Sequence, residues 1–286
     1  VSLALFSAPI PTDALPFTLQ VERLFDGLMR AARSPWGKER EPHAEPGLTE
    51  TNLGGKLIYA SELNADVRAL LVAANIAGAA SLTATADAAR YKQAIRDGVA
   101  DFAVNSLDEA LRILKNEIRK REPVAVAIGA SPLDVEREMI ERGVLPDLVA
   151  AIAPPRGEDF DAAWEDIPRI ELTDAQNKRN WISWCVSSAP RQWLPKLDAM
   201  AMDLVGNGEG QAEVAARRWL RLAPRYLGRL AEGVRVLRCE PGMAIEFMDR
   251  VRSGVERGEI GVAVEVSVKD GKEICRFSLD RGQTSR

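Results

Sequence analysis

Between Lys56 and Ile152, short apolar runs alternate with stretches whose apolar positions fall three and four residues apart. Those two periods mark strands and amphipathic helices respectively. The pattern predicts strands at 56–60, 81–85, 101–104, 123–128 and 148–152. The intervening helices have legible ends: a stop at Gly78, a helix from Asp87 to Arg96 before Gly98, and a stop at Gly143 with Pro146 beyond. Ser106 and Glu109 are spaced as a capping box, over an apolar stripe of Leu107, Ala110, Leu111, Leu114 and Ile118. Ser131, followed by Pro132, caps the helix before Gly143. Strands alternating with helices require crossover connections, hence a parallel sheet covered on both faces.

The flanks differ. An apolar start and Pro9, Pro11 and Pro16 precede one amphipathic helix carrying Leu19, Leu24, Phe25, Leu28 and Met29, then a charged, proline-rich loop. Beyond Ala153-Pro154-Pro155 the chain is rich in tryptophan, and helical patterns dominate from Leu194 to Leu230. At the end, alternating Val262, Val264, Val266 and Val268 meet Cys275, Phe277 and Leu279 across Asp270-Gly271, a hairpin pattern. The expected fold is α/β: a Rossmann-like doubly wound parallel sheet at 52–152, inserted in a second, mixed α+β lobe built from 1–51 and 153–286.

Composition narrows the chemistry. A net charge of −4 argues against a nucleic-acid binder. No apolar run approaches the roughly 20 residues of a membrane helix. The opening residues lack the basic start of a secretory signal. Three widely spaced cysteines suit a reducing compartment, so a cytoplasmic location is expected. The single histidine, His43, lies in a loop-like stretch and excludes a two-histidine zinc site, and no metal is expected.

Asn52-Leu53-Gly54-Gly55, Ile76-Ala77-Gly78-Ala79, Ser106-Leu107-Asp108-Glu109-Ala110-Leu111 and Arg142-Gly143-Val144-Leu145-Pro146-Asp147 together resemble the NAD-binding domain of urocanase (urocanate hydratase) over about 95 residues. These are caps and stops, so the resemblance implies the fold and common ancestry rather than chemistry. It also implies a homodimer.

The functional positions depart from that family. The resemblance implies a glycine-dense turn after the first strand, but Ser61-Glu62-Leu63-Asn64-Ala65-Asp66 contains no glycine. Side chains at Leu63, Asn64 and Ala65 hinder close approach to a pyrophosphate and disfavour a positive φ. Glu62 and Asp66 bring carboxylates to a helix N-terminus where a phosphate would sit. Asn64 or Asp66 there serves as a cap. Thr85 stands where the resemblance implies an acidic residue for ribose hydroxyls, and Ala130-Ser131 where it implies Gly-Asn. No counterpart of the family's catalytic cysteine motif is present. The expectation is a diverged urocanase-like protein without urocanase catalysis or ordinary NAD binding, and with no cofactor. A small anionic ligand is expected in the crevice between lobes at the strands' carboxyl ends, edged by Ser61, Asn64, Thr85 and Ser131.

Two further features compete. Arg217, Arg221, Arg225 and Arg229 stand four apart, a helix face able to grip an anion. Gly206-Asn207-Gly208-Glu209-Gly210 leads into that helix and could hold a phosphate, although joining two helices accounts for it. Cys185 is a nucleophile candidate, with burial in the core as the plainer reading. The alternatives are a hydratase or lyase of different specificity and a protein-interaction module that docks through its tryptophans.

Overall fold

The computed structural model describes residues 14–32, 52–151, 164–171, 180–271 and 273–280. It divides into two compact units, Arg23–Asp174 and the pair Val1–Glu22 with Ala175–Arg286. The division falls within helix α1 (Ala14–Ala31), whose Val21, Leu24, Phe25, Leu28 and Met29 are all buried.

In the unit Arg23–Asp174 the predicted alternation appears as β1 (Leu57–Glu62), α2 (Ala65–Ala77), β2 (Ala80–Ala84), α3 (Ala88–Arg96), β3 (Phe102–Val104), α4 (Leu107–Lys120), β4 (Val124–Ile128), α5 (Pro132–Glu141) and β5 (Leu148–Ala151), with β6 (Arg169–Glu171) added beyond. The strands pair in parallel in the order β3-β4-β2-β1-β5-β6. Alternate residues of each strand face opposite ways. Leu57, Tyr59, Leu82, Val126 and Ile128 share one face, packed against Leu111 and Leu114 of α4 and Met139 of α5. Helix α2 lies against β1 and β2, with Val67 and all residues from Ala69 to Ala77 buried. Each large aliphatic side chain so enclosed contributes about 2 kcal/mol.

The ends of these elements follow the residues that predict them. Gly78 closes α2 at φ 95°, a conformation that costs a residue with a Cβ. Ser106 accepts the Glu109 amide at 3.3 Å, but the Glu109 carboxylate accepts from the Asn105 amide at 3.0 Å instead of completing the reciprocal pair with Ser106. Asp147, from the last of the resembling motifs, accepts the Leu57 amide at 2.9 Å and so holds the start of β1.

The other unit is built on an antiparallel sheet in the order β10-β9-β7-β8: β7 (Trp181–Cys185), β8 (Val234–Arg238), β9 (Val264–Asp270) and β10 (Glu273–Leu279). Helices α6 (Pro190–Val205), α7 (Gln211–Leu227) and α8 (Pro241–Glu256) accompany it. The hairpin pairs Asp270 with Glu273 as its alternation predicts, and Gly271 takes φ 59° at the turn. Strand β8 and helix α8 lie beyond the helical region that the sequence shows from Leu194 to Leu230. The Trp184 indole donates to Asp198 at 3.1 Å and the Trp219 indole to the Val236 carbonyl at 2.6 Å. Trp164, Trp181, Trp184 and Trp219 are core residues, which removes them as interface anchors.

Candidate functional site

In an open parallel sheet, ligands sit at the carboxyl ends of the strands, where successive connections leave in opposite directions. Here the chain moves from β1 to β2 on one side, while β5 lies on the other side of β1. The segment after β5 with Pro154-Pro155 lies outside the described residues, as does His43.

Strand β1 runs two residues further than its apolar run predicts, and its pairing shifts between Tyr59 and Glu62. The shift is absorbed at Ser61, which takes φ 44° although it is not glycine. Positive φ is thus needed just before the turn, and Asn64 itself is extended at φ −103°. Ser61 is buried. Its hydroxyl donates to Oε1 of the fully buried Glu136 at 2.8 Å, and its carbonyl accepts the Thr83 hydroxyl at 2.6 Å. Two neighbours therefore hold the strained residue in place.

Asn64 settles the capping question. Its Oδ1 accepts the Val67 amide at 2.9 Å, with Asp66 in the first turn of α2. The helix end that would face a pyrophosphate thus meets the chain's own side-chain oxygen and a carboxylate. Leu63 is buried and bonds through its amide to the Ala84 carbonyl, so the turn is packed as well as capped.

Thr85 is also buried, and its hydroxyl donates to Glu62 Oε1 at 2.8 Å while accepting the Asp87 amide at 3.2 Å. The end of β2 therefore does carry a carboxylate, supplied from β1. Sequence reasoning missed Glu62 in this role because it ended the strand at Ala60; extending the strand by two residues would have exposed the pairing. Arg90 lies 3.2 Å from Glu62 and 3.3 Å from Asp87, one guanidinium shared between two carboxylates, so the cluster keeps a net negative charge.

Ser131 differs from the other three. It occupies the N-cap of α5, yet its side chain makes no capping bond. Gly129 precedes it, and a Cβ there would meet the Tyr91 ring at 3.2 Å and Asn105 Oδ1 at 3.7 Å. The β4–α5 turn thus sets the Tyr91 ring and the Asn105 side chain against the Gly129 backbone, two residues before the half-buried Ser131.

The arginine series lies in the other unit. Arg217, Arg221 and Arg225 fall on α7, which passes through Pro224, whereas Arg229 falls beyond it in the 3-10 turn Gly228–Ala231. Arg217 donates to the Gly206 and Gly208 carbonyls at 2.9 and 2.7 Å, committing its guanidinium to the glycine loop. Arg225 stands over the Tyr226 ring, 5.2 Å from its centroid. The loop joins α6 to α7, and a Cβ at Gly210 would run into the Glu213 carboxylate. A glutamate, rather than a free phosphate site, covers that helix end.

Burial, reinforced by Glu265, pushes the Cys185 thiol up to about 12, so no thiolate is available for attack near neutral pH. Cys239 is pushed up to about 12 by burial and by Glu240. No cluster of three or more His, Cys, Asp or Glu able to hold a metal occurs among the described residues. None of the described helices is long and apolar enough to cross a membrane. Against known families, residues 44–154 match the model of the urocanase Rossmann-like domain.

Proposed function

Starting from the urocanase Rossmann-like domain at residues 44–154, we propose that this chain is a diverged urocanase-like protein that uses the domain without ordinary NAD binding or urocanate hydration. The observation that carries the reading is the filled N-terminus of α2. Asn64 occupies the Val67 amide, Asp66 sits in the first turn, and Glu62 stands at the strand end. A pyrophosphate approaching that turn would meet carboxylates, and a pair of like unit charges about 4 Å apart repels by about 1–4 kcal/mol. The missing glycines remove the close backbone approach that would offset such a cost.

The small anionic ligand of this reading binds instead at the β4–α5 turn. There Ser131 leaves its hydroxyl uncommitted to the cap, and Asn105 and Tyr91 flank Gly129. No catalytic residue is assigned.

The test is a pair of titrations on the full chain, NAD and inorganic phosphate, run beside a spectrophotometric assay of urocanate loss. Phosphate binding that weakens in Ser131→Ala, with no NAD binding and no turnover, supports the proposal. Saturable NAD binding accompanied by urocanate turnover overturns it.

A further inference from the structure

A cavity of about 470 Å³ opens in the unit that carries the antiparallel sheet, where the end of β8 and the N-termini of α7 and α8 meet. Its volume lies within the range of ordinary small-molecule sites. Leu204, Val205, Ala216 and Met243 give it an apolar wall.

Its charge has a definite sign. Glu213, in the first turn of α7, and Glu240, at the N-cap of α8, both line it, and Glu240 makes no capping bond with its side chain. Arg238 lines it too, but lies 3.1 Å from the Glu22 carboxylate, which matches its charge. The two helix ends supply roughly half a positive charge each. Two carboxylates outweigh them, so the cavity favours a cation over an anion.

The glycine loop before α7 belongs to this arrangement. The Glu213 side chain lies across Gly208 and Gly210, and its carboxylate occupies the space that a Cβ at Gly210 would need. The glycines so dense in this segment leave room for the acidic side chain at the cavity, and Arg217 fixes the loop through two carbonyls.

We propose that this cavity binds a small aliphatic amine, its ammonium held by Glu213 and Glu240 and its hydrocarbon chain laid on Leu204, Val205 and Met243. An ammonium donates up to three hydrogen bonds, which suits carboxylates better than any neutral group. The proposal does not depend on the reading of the parallel domain.

The experiment is calorimetric titration of the full chain with hexylamine, and with hexanoate as a probe of equal length and opposite charge. Hexylamine should bind saturably and hexanoate should not. Glu213→Gln should weaken hexylamine at least tenfold, and Gly210→Ala, which displaces the carboxylate without removing it, should weaken it as well. Glu240→Gln provides the same readout from the other helix if either α7 variant misfolds. Hexanoate binding as tightly as hexylamine, no saturable hexylamine binding, or unchanged affinity in the folded glutamine variants would overturn the proposal.

Discussion

Ser61 combines a left-handed backbone with a buried hydroxyl bond, and the two can be separated by substitution. Ser61→Ala keeps the strain and takes a donor from Glu136 Oε1, a loss of about 1 kcal/mol for a buried hydrogen bond. Ser61→Gly loses the same bond but relieves the backbone, so it should be more stable than the alanine variant by about 1 kcal/mol. Urea denaturation of both decides the matter; equal stabilities would mean that Ser61 is unstrained. Cysteine reactivity gives a second contrast at this scale. Cys185 and Cys239 are pushed up to about 12, whereas Cys275 is exposed on β10. Brief iodoacetamide treatment of the native chain at pH 8 should therefore add a single label, at Cys275, by intact mass and peptide mapping. A third contrast concerns Asp198, whose carboxyl is held above its ordinary range by burial, which outweighs the neighbouring Arg235 and the Trp184 indole. Because the folded form holds the proton more tightly than the unfolded chain, its contribution is fully present below the ordinary carboxylate range and is lost as pH rises through the raised value. Asp198→Asn should remove that pH-dependent loss, read as a flatter stability profile over the acid range; an unchanged profile would contradict it.

At the scale of elements, what the chain spells out most clearly is what local chemistry decides. Asp87, Ser106 and Gly78 end their helices where their residue types require, and the closing hairpin pairs as its alternation dictates. Strand β8 escaped because its apolar residues, Val234, Val236 and Leu237, are few, are broken by Arg235 and follow a long helical pattern. The end of β1 escaped for a different reason. Ser61 and Glu62 are polar, and their extension of the strand depends on partners distant in sequence, Glu136 and Thr85. Half of the candidate site was therefore legible: the absence of glycine and the cap on α2 are local facts, while the carboxylate at the end of β2 is a tertiary one. The cap offers its own test. Asn64→Ala should cost about 1 kcal/mol in chemical denaturation, as loss of an N-cap side chain does. No loss would mean that the Val67 amide finds another acceptor.

At the scale of the whole molecule, residues 44–154 match the urocanase Rossmann-like domain, while the turn after β1 is closed by its own side chains. Under the proposed reading, fold and function part company at that turn, because a sheet of this order tolerates many different turns at its carboxyl edge. The arginines of α7 and the glycine loop, which in sequence suggest an anion site, are instead partly bound to one another through Arg217. The measurement that bears most directly on the account is native mass spectrometry of freshly purified protein, with and without added NAD. The account predicts the mass of the bare chain, as a monomer or as the homodimer implied by the family resemblance, unchanged by NAD. A species heavier by one dinucleotide per chain would contradict it and would place the pyrophosphate at a turn other than β1–α2.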